Sequence, residues 1–216
     1  NKQVASLKSK ESQLLTDIKK KQRDANKLND KIQQIIAAEI ERARLEAIKK
    51  REAEAAAAAT ANNPSPAQPE SPESSLLTAG FANNKGRLPW PVERGTLTGT
   101  FGKMLHPVLR DPPVYVNNNG VDITTVENAG VRAIFEGEVV NIIFNPSFQK
   151  GILIKHGDYF TVYTKLKTVS VKPGDKVVAK DNIGIAFTDE ADGTTEVHLE
   201  IWKGTSIQNP ALWIAK

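Results

Sequence analysis

The chain has 216 residues, 25% of them charged and 39% hydrophobic, a formal net charge of +4, and no cysteine. The missing cysteines exclude a disulfide framework and any thiolate-held zinc, and no apolar run approaches the roughly 20 residues of a helical membrane span. Residues 1–59 carry 14 Lys and Arg against 9 Asp and Glu, whereas residues 87–216 carry 14 against 14, so the C-terminal part lacks the basic footprint of a nucleic-acid binder and no such partner is expected.

The chain opens at Asn1 without a charged-then-apolar leader, which predicts a processed chain whose export signal preceded Asn1. Residues 1–61 predict a helical coiled-coil segment. Residues 1–59 hold no Gly or Pro, and Val4, Leu7, Leu14, Ile18, Ala25, Leu28, Ile32 and Ile35 fall on alternating steps of three and four. After Ile36 the stripe moves over by one, through Ile40, Ala43 and Ala47. A helix of that length, on the order of 90 Å, cannot bury a stripe against itself. The expected partner is a helix of another copy or of residues before Asn1. Acidic residues interleave the basic ones, so the charge reads as a solvated face.

Asn62-Asn63-Pro64 predicts the helix stop, and residues 62–86 read as a Pro/Ser-rich linker. Leu76, Leu77 and Phe81 are apolar exceptions in that tether. Two expectations follow for 76–82: a segment that covers a groove of the next domain and inhibits it, or plain padding at the domain entry.

Residues 87–216 predict antiparallel β structure. Short runs at Gly137–Phe144, Gly151–His156, Tyr159–Leu166, Lys176–Val178 and Ile183–Phe187 alternate with Gly, Asn and Pro turns. In Thr194–Trp202, Val197, Leu199 and Ile201 point one way, and Glu196, His198, Glu200 and Trp202 the other. Glu196 and His198 then stand roughly 7 Å apart on one face. That pairing suits metal binding or acid/base chemistry, or is simply the polar side of a surface strand.

Further landmarks occur in order: L-P-W-P-V at 88–92, F-G at 101–102, H-P at 106–107, N-x-G-V-D-I from Asn118, H-G-x-Y-x-T-x-Y-x-K-L from His156, V-K-P-G-D-K-V at 171–177, E-V-H-L-E-I-W-K at 196–203, then Asn209-Pro210 and Trp213. Together they resemble the LytM-like (lysostaphin-type) peptidoglycan endopeptidases over residues 87–216. The resemblance implies an all-β antiparallel domain in which active members hold a metal through the His and Asp of H-x-G-x-D and the second His of H-x-H. A further His in Y-x-H-L and the first His of H-x-H assist catalysis. Here those positions carry Asn118, Asp122, His198, Lys165 and Glu196. Asn118 offers only an amide oxygen, a poor stand-in for imidazole. Lys165, protonated at an ordinary pKa of about 10.4, cannot serve as a base and is expected to pair with Asp122 or Glu196 instead of a metal. The expectation is a degenerate peptidase without metal or other cofactor. Its competitor keeps Asp122, Glu196 and His198 as a weak zinc site. The resemblance places His106, Tyr163 and Trp202 at the groove edge, and His156 reads as structural.

A helical segment, a linker and a degenerate LytM-like domain are similar to the EnvC-type murein hydrolase activators. That resemblance implies a periplasmic, non-enzymatic activator of cell-wall (N-acetylmuramoyl-L-alanine) amidases in cell separation. Its partners would be an amidase held by the vestigial groove, division-machinery membrane proteins met through the coiled coil, and peptidoglycan nearby. The alternatives are a zinc-dependent endopeptidase with an unusual site and a peptidoglycan-binding scaffold.

Overall fold

The computed structural model describes residues 2–59, 72–110 and 113–216, with side chains for 9–53, 73–105 and 113–216. Helix α1 spans Lys2–Ala59, and helix α2 spans Pro72–Asn83. The strands are β1 (Thr96–Gly99), β2 (Gly102–Arg110), β3 (Pro113–Asn118), β4 (Val121–Thr124), β5 (Gly130–Arg132), β6 (Gly137–Asn145), β7 (Gln149–His156), β8 (Tyr159–Val169), β9 (Lys176–Val177), β10 (Asn182–Thr188), β11 (Thr195–Lys203) and β12 (Ser206–Gln208). All pair antiparallel; β2 and β3 form a separate hairpin, and the rest join one sheet whose middle runs β4, β11, β8, β7, β6. The alternating and β-branched runs in the sequence became strands, each within three residues of its expected ends.

Both faces of the sheet are covered. On one, Ile123, Ile152, Ile154, Tyr163, Leu166, Val197, Leu199 and Ile201 form the main core. On the other, Ile143, Leu153, Phe160, Val162 and Trp202 form a second core, closed by Leu28, Ile32 and Ile36 of α1. Those three helix residues, spaced by four, make one stripe and are at most 8% exposed. The stripe therefore finds its cover on the chain's own sheet, and not on the partner helix expected for it. Ile40, Leu45 and Ile48, further along, stay exposed. A coiled coil is not established by this arrangement. What is present is one long helix whose Leu28–Ile36 stretch packs on the sheet.

Helix α2 was not foreseen. Pro72 suits a first helical turn, where its missing N–H is no loss. Its Phe81 is fully buried in the main core and stacks on Tyr159 at 4.8 Å and His156 at 5.0 Å, beside Trp213 at 5.2 Å. The Thr78 hydroxyl accepts from the Asp158 amide at 2.9 Å. Phe81 thus belongs to the main core, while Leu76 is exposed and Leu77 half-buried. The stretch expected as linker lies, up to residue 71, outside the described residues.

Candidate functional site

The register across three neighbouring strands builds the site. Asp122 of β4 lies opposite His198 of β11, which lies opposite Thr164 of β8. Lys165 would point into the core if β8 alternated regularly. Instead β8 gains a residue against β7 between Tyr163 and Leu166, and Lys165 takes a left-handed φ of 62°. The bulge turns Lys165 onto the same face as Asp122 and Glu196, while its amide donates to the Phe148 carbonyl at 2.9 Å. Tyr163 stays inward, fully buried, its hydroxyl accepting from the Ile134 amide at 3.0 Å. Burial pushes that phenol up to about 12.

A chain of polar contacts runs through the site. Lys165 Nζ donates to Asp122 Oδ1 at 2.9 Å and Glu196 Oε2 at 2.7 Å. Asp122 Oδ1 also meets His198 Nδ1 at 3.1 Å, and His198 Nε2 meets Glu200 Oε1 at 3.3 Å. Glu200 Oε2 accepts from Trp202 Nε1 at 2.8 Å. Thr98 and Thr124 donate to Glu196 Oε1 at 3.2 and 3.3 Å. Asn118 gives its amide N–H to Asp122 Oδ2 at 2.8 Å, while its Oδ1 accepts from Gly120 N at 3.1 Å. Two glycines permit this closeness: a Cβ on Gly99 would strike the Asp122 carboxylate, and one on Gly120 would strike the Leu199 carbonyl and the His198 ring.

The electrostatics follow from the contacts. Burial opposes the His198 charge, but hydrogen bonds to Asp122 and Glu200 outweigh it and raise the ring to about 9. Burial alone would raise Asp122; the hydrogen bond and charge of His198, then the charge of Lys165, hold it well below the usual carboxylate range. Burial likewise works against the Lys165 charge, and Asp122 and Glu196 reverse it, so this ammonium is held above its ordinary value. The expected ion pair is therefore present, shared between both carboxylates.

The metal implied by the resemblance does not fit this donor set. A catalytic zinc needs three deprotonated ligands and an open position. Here a cation already lies between the two carboxylates, both His198 nitrogens face carboxylates, and the Asn118 oxygen is taken. Among the described residues, no three His, Asp or Glu side chains are placed to hold a metal.

Two residues expected at the groove edge lie elsewhere. Tyr163 belongs to the main core, and Trp202, on the expected face, is fully buried beneath α1. His106 falls in β2, but its side chain is outside the described residues. His156 is structural as expected: Nδ1 bonds the Glu136 carbonyl at 2.6 Å, Nε2 bonds Thr161 at 2.8 Å, and burial lowers it to about 4.

Sequence reasoning missed Glu200 as a site member, although its two-residue step from His198 marks it. It also missed α1 as the wall of the groove. Gln22 Oε1 accepts from the Asn117 amide at 3.2 Å, Asn29 Oδ1 accepts from Asn119 at 3.0 Å, and Asp24 accepts from Ser147 at 2.5 Å. Lys155 donates to Glu39 at 3.0 Å. Between helix and sheet remains a cavity of about 320 Å³, with Ile18, Lys21 and Ala25 on one side and Asp122, Lys165 and His198 on the other.

Comparison with known proteins agrees with this fold. Residues 116–210 match the family model of peptidase family M23. A curated relative from Buchnera aphidicola subsp. Baizongia pistaciae (strain Bp), called an uncharacterized metalloprotease, is 30% identical over 94 residues, or 43% of this chain. The chain spans only 25% of that relative's length. Helicobacter pylori Csd3 superposes with a TM-score of 0.50 at 22% identity, covering 60% of this chain and 35% of that one. A zinc-containing peptidase from Vibrio cholerae gives 0.51 at 24% identity, covering 61% and 41%. A chain of the SpoIIQ–SpoIIIAH pore forming complex gives 0.50 at 25% identity, covering 61% of this chain and 93% of that one. The strands that carry the Lys165 ion pair lie within the stretch, residues 116–210, that is similar to peptidase family M23.

Proposed function

We propose that this chain is a non-enzymatic activator of periplasmic cell-wall amidases, binding its partner in the groove where an active relative would bind metal and substrate. The observation that carries the reading is Lys165, whose ammonium lies 2.9 Å from Asp122 and 2.7 Å from Glu196. It supplies internally the charge that a metal would bring, and puts a protonated ammonium, which cannot act as a base, where the resemblance places a catalytic His. The groove accepts a helix, since α1 lies in it, and an amphipathic segment is what a helix-in-groove partner presents. The self-inhibitory role expected of Leu76, Leu77 and Phe81 passes in this reading to α1, which a partner must displace. Binding then works by population shift: the partner stabilises the open form of the chain, and the chain stabilises the open form of the amidase. The SpoIIQ–SpoIIIAH complex lends support, since a chain of similar fold there is part of a two-protein assembly.

The test incubates purified chain with dye-labelled peptidoglycan, with and without added zinc, and with and without periplasmic amidases. No release by the chain alone, and release by an amidase increased several-fold when the chain is added, is the expected result. Zinc-dependent release by the chain alone would restore the endopeptidase reading. Binding to sacculi with no effect on any amidase would favour the scaffold.

A further inference from the structure

The cavity beneath α1 has two unlike parts. Ile18, Ala25 and Leu28 of the helix, with Met104, Val116 and Phe148, give it apolar walls. Its sheet side is polar: Lys165 and His198 lie against Asp122 and Glu200, two positive and two negative side chains already bonded to one another. Lys21 also borders the cavity and is exposed to solvent. A charged guest would therefore lose water there without meeting an unpaired opposite charge. Hydrogen-bonding capacity, by contrast, is left over. The Lys165 ammonium has three N–H and gives one each to Asp122 and Glu196, so among the described residues one donor remains. Thr164, opposite His198 in register and 2% exposed, lines the same cavity, and its hydroxyl has no partner among the described residues. A buried hydroxyl without a partner is costly, and an occupant that bonds it recovers that cost.

We infer that this cavity is a small-molecule site for an uncharged carboxamide with an apolar body, and that its occupant clamps α1 onto the sheet. At about 320 Å³ the cavity is of small-molecule size. A carboxamide matches what its lining offers: the C=O accepts the spare Lys165 N–H, the amide N–H donates to the Thr164 hydroxyl, and the body packs between the apolar walls. The helix supplies one of those walls, so the complete site exists only while α1 is docked. A ligand that needs both sides adds its binding free energy to the closed form alone, and at a hundred times its Kd it suppresses opening about a hundredfold. The site stands whether or not the chain activates an amidase. Under the activation reading above, such a ligand opposes the partner that displaces α1.

The experiment titrates the full chain with one ring bearing three heads: cyclohexanecarboxamide, cyclohexanecarboxylate and cyclohexylmethylammonium. Binding is read by ligand-observed NMR. Clamping is read as amide exchange at Asn117, whose N–H donates to Gln22 of α1. The expected result is that the carboxamide binds at least tenfold more tightly than either charged probe and, at saturation, slows exchange at Asn117 at least tenfold. Thr164→Val, which keeps the shape and removes the hydroxyl, should weaken the carboxamide at least fivefold; should that variant fold poorly, the charged probes make the same test on the unaltered chain. Equal binding of the three heads, or carboxamide affinity within twofold in Thr164→Val, overturns the assigned chemistry. Carboxamide binding that leaves Asn117 exchange unchanged overturns the clamp, and no binding by any probe overturns the site. Each of these failures leaves the amidase assay above untouched.

Discussion

Lys165 and His198 are two cations held among three carboxylates, and each can be tested singly. Lys165→Glu removes the shared cation and adds a fourth acid. With the pair about a quarter exposed, the loss should be about 2–3 kcal/mol, below the range for a fully buried pair. A melting temperature unchanged in that variant would contradict the contact. The two buried histidines predict opposite pH limbs. His156, lowered from 6.5 to about 4, loses stability as pH falls below 6.5, because the unfolded chain takes a proton that the folded one refuses. His198, raised from 6.5 to about 9, contributes fully below 6.5 and is lost as pH climbs toward 9. Each limb amounts to about 3 kcal/mol, so their joint effect is a stability maximum near pH 6.5 in urea titrations. Asn118, Asp122, Lys165, Glu196 and His198 were legible from sequence motifs, whereas Glu200 was not singled out. The direction of Tyr163 was not legible, because Tyr163 and Lys165 are two apart and should share a face; the bulge with its left-handed Lys165 separates them. A lysine in that backbone conformation leaves no mark in a sequence pattern.

Among the elements, β6, β7, β8, β10 and β11 could be read from apolar alternation and turn residues, since hydrophobic period is a local signal. The two helices were harder. The α1 stripe was visible, but a stripe says only that something covers it, and the continuous apolar runs in β7 and β8, buried on both faces, were the matching half. Phe81 looked like a stray apolar residue in a tether because its ring partners, Tyr159, His156 and Trp213, are distant in sequence. The two helices should therefore respond differently to truncation. Phe81→Ala removes a fully buried ring and should lower stability by about 3–5 kcal/mol without changing groove exchange rates. Ile32→Asp should free α1 while the β domain holds, seen as lost protection at Asn117 and a red-shifted Trp202 emission. Equal responses from the two variants would mean that α1 and the main core are one unit.

In the whole molecule, a single sheet serves two cores. The main core is built by the β structure with Phe81 of α2, and the second exists only while α1 lies on the far face. When the helix leaves, Leu153, Phe160, Val162 and Trp202 meet water together as one contiguous patch, of the kind that soluble proteins rarely leave bare. An opened molecule is thus adhesive by construction. It must either close again or stick at once to whatever helix is at hand, so release and capture are one event, and a crowd of opened copies without a recipient would clump.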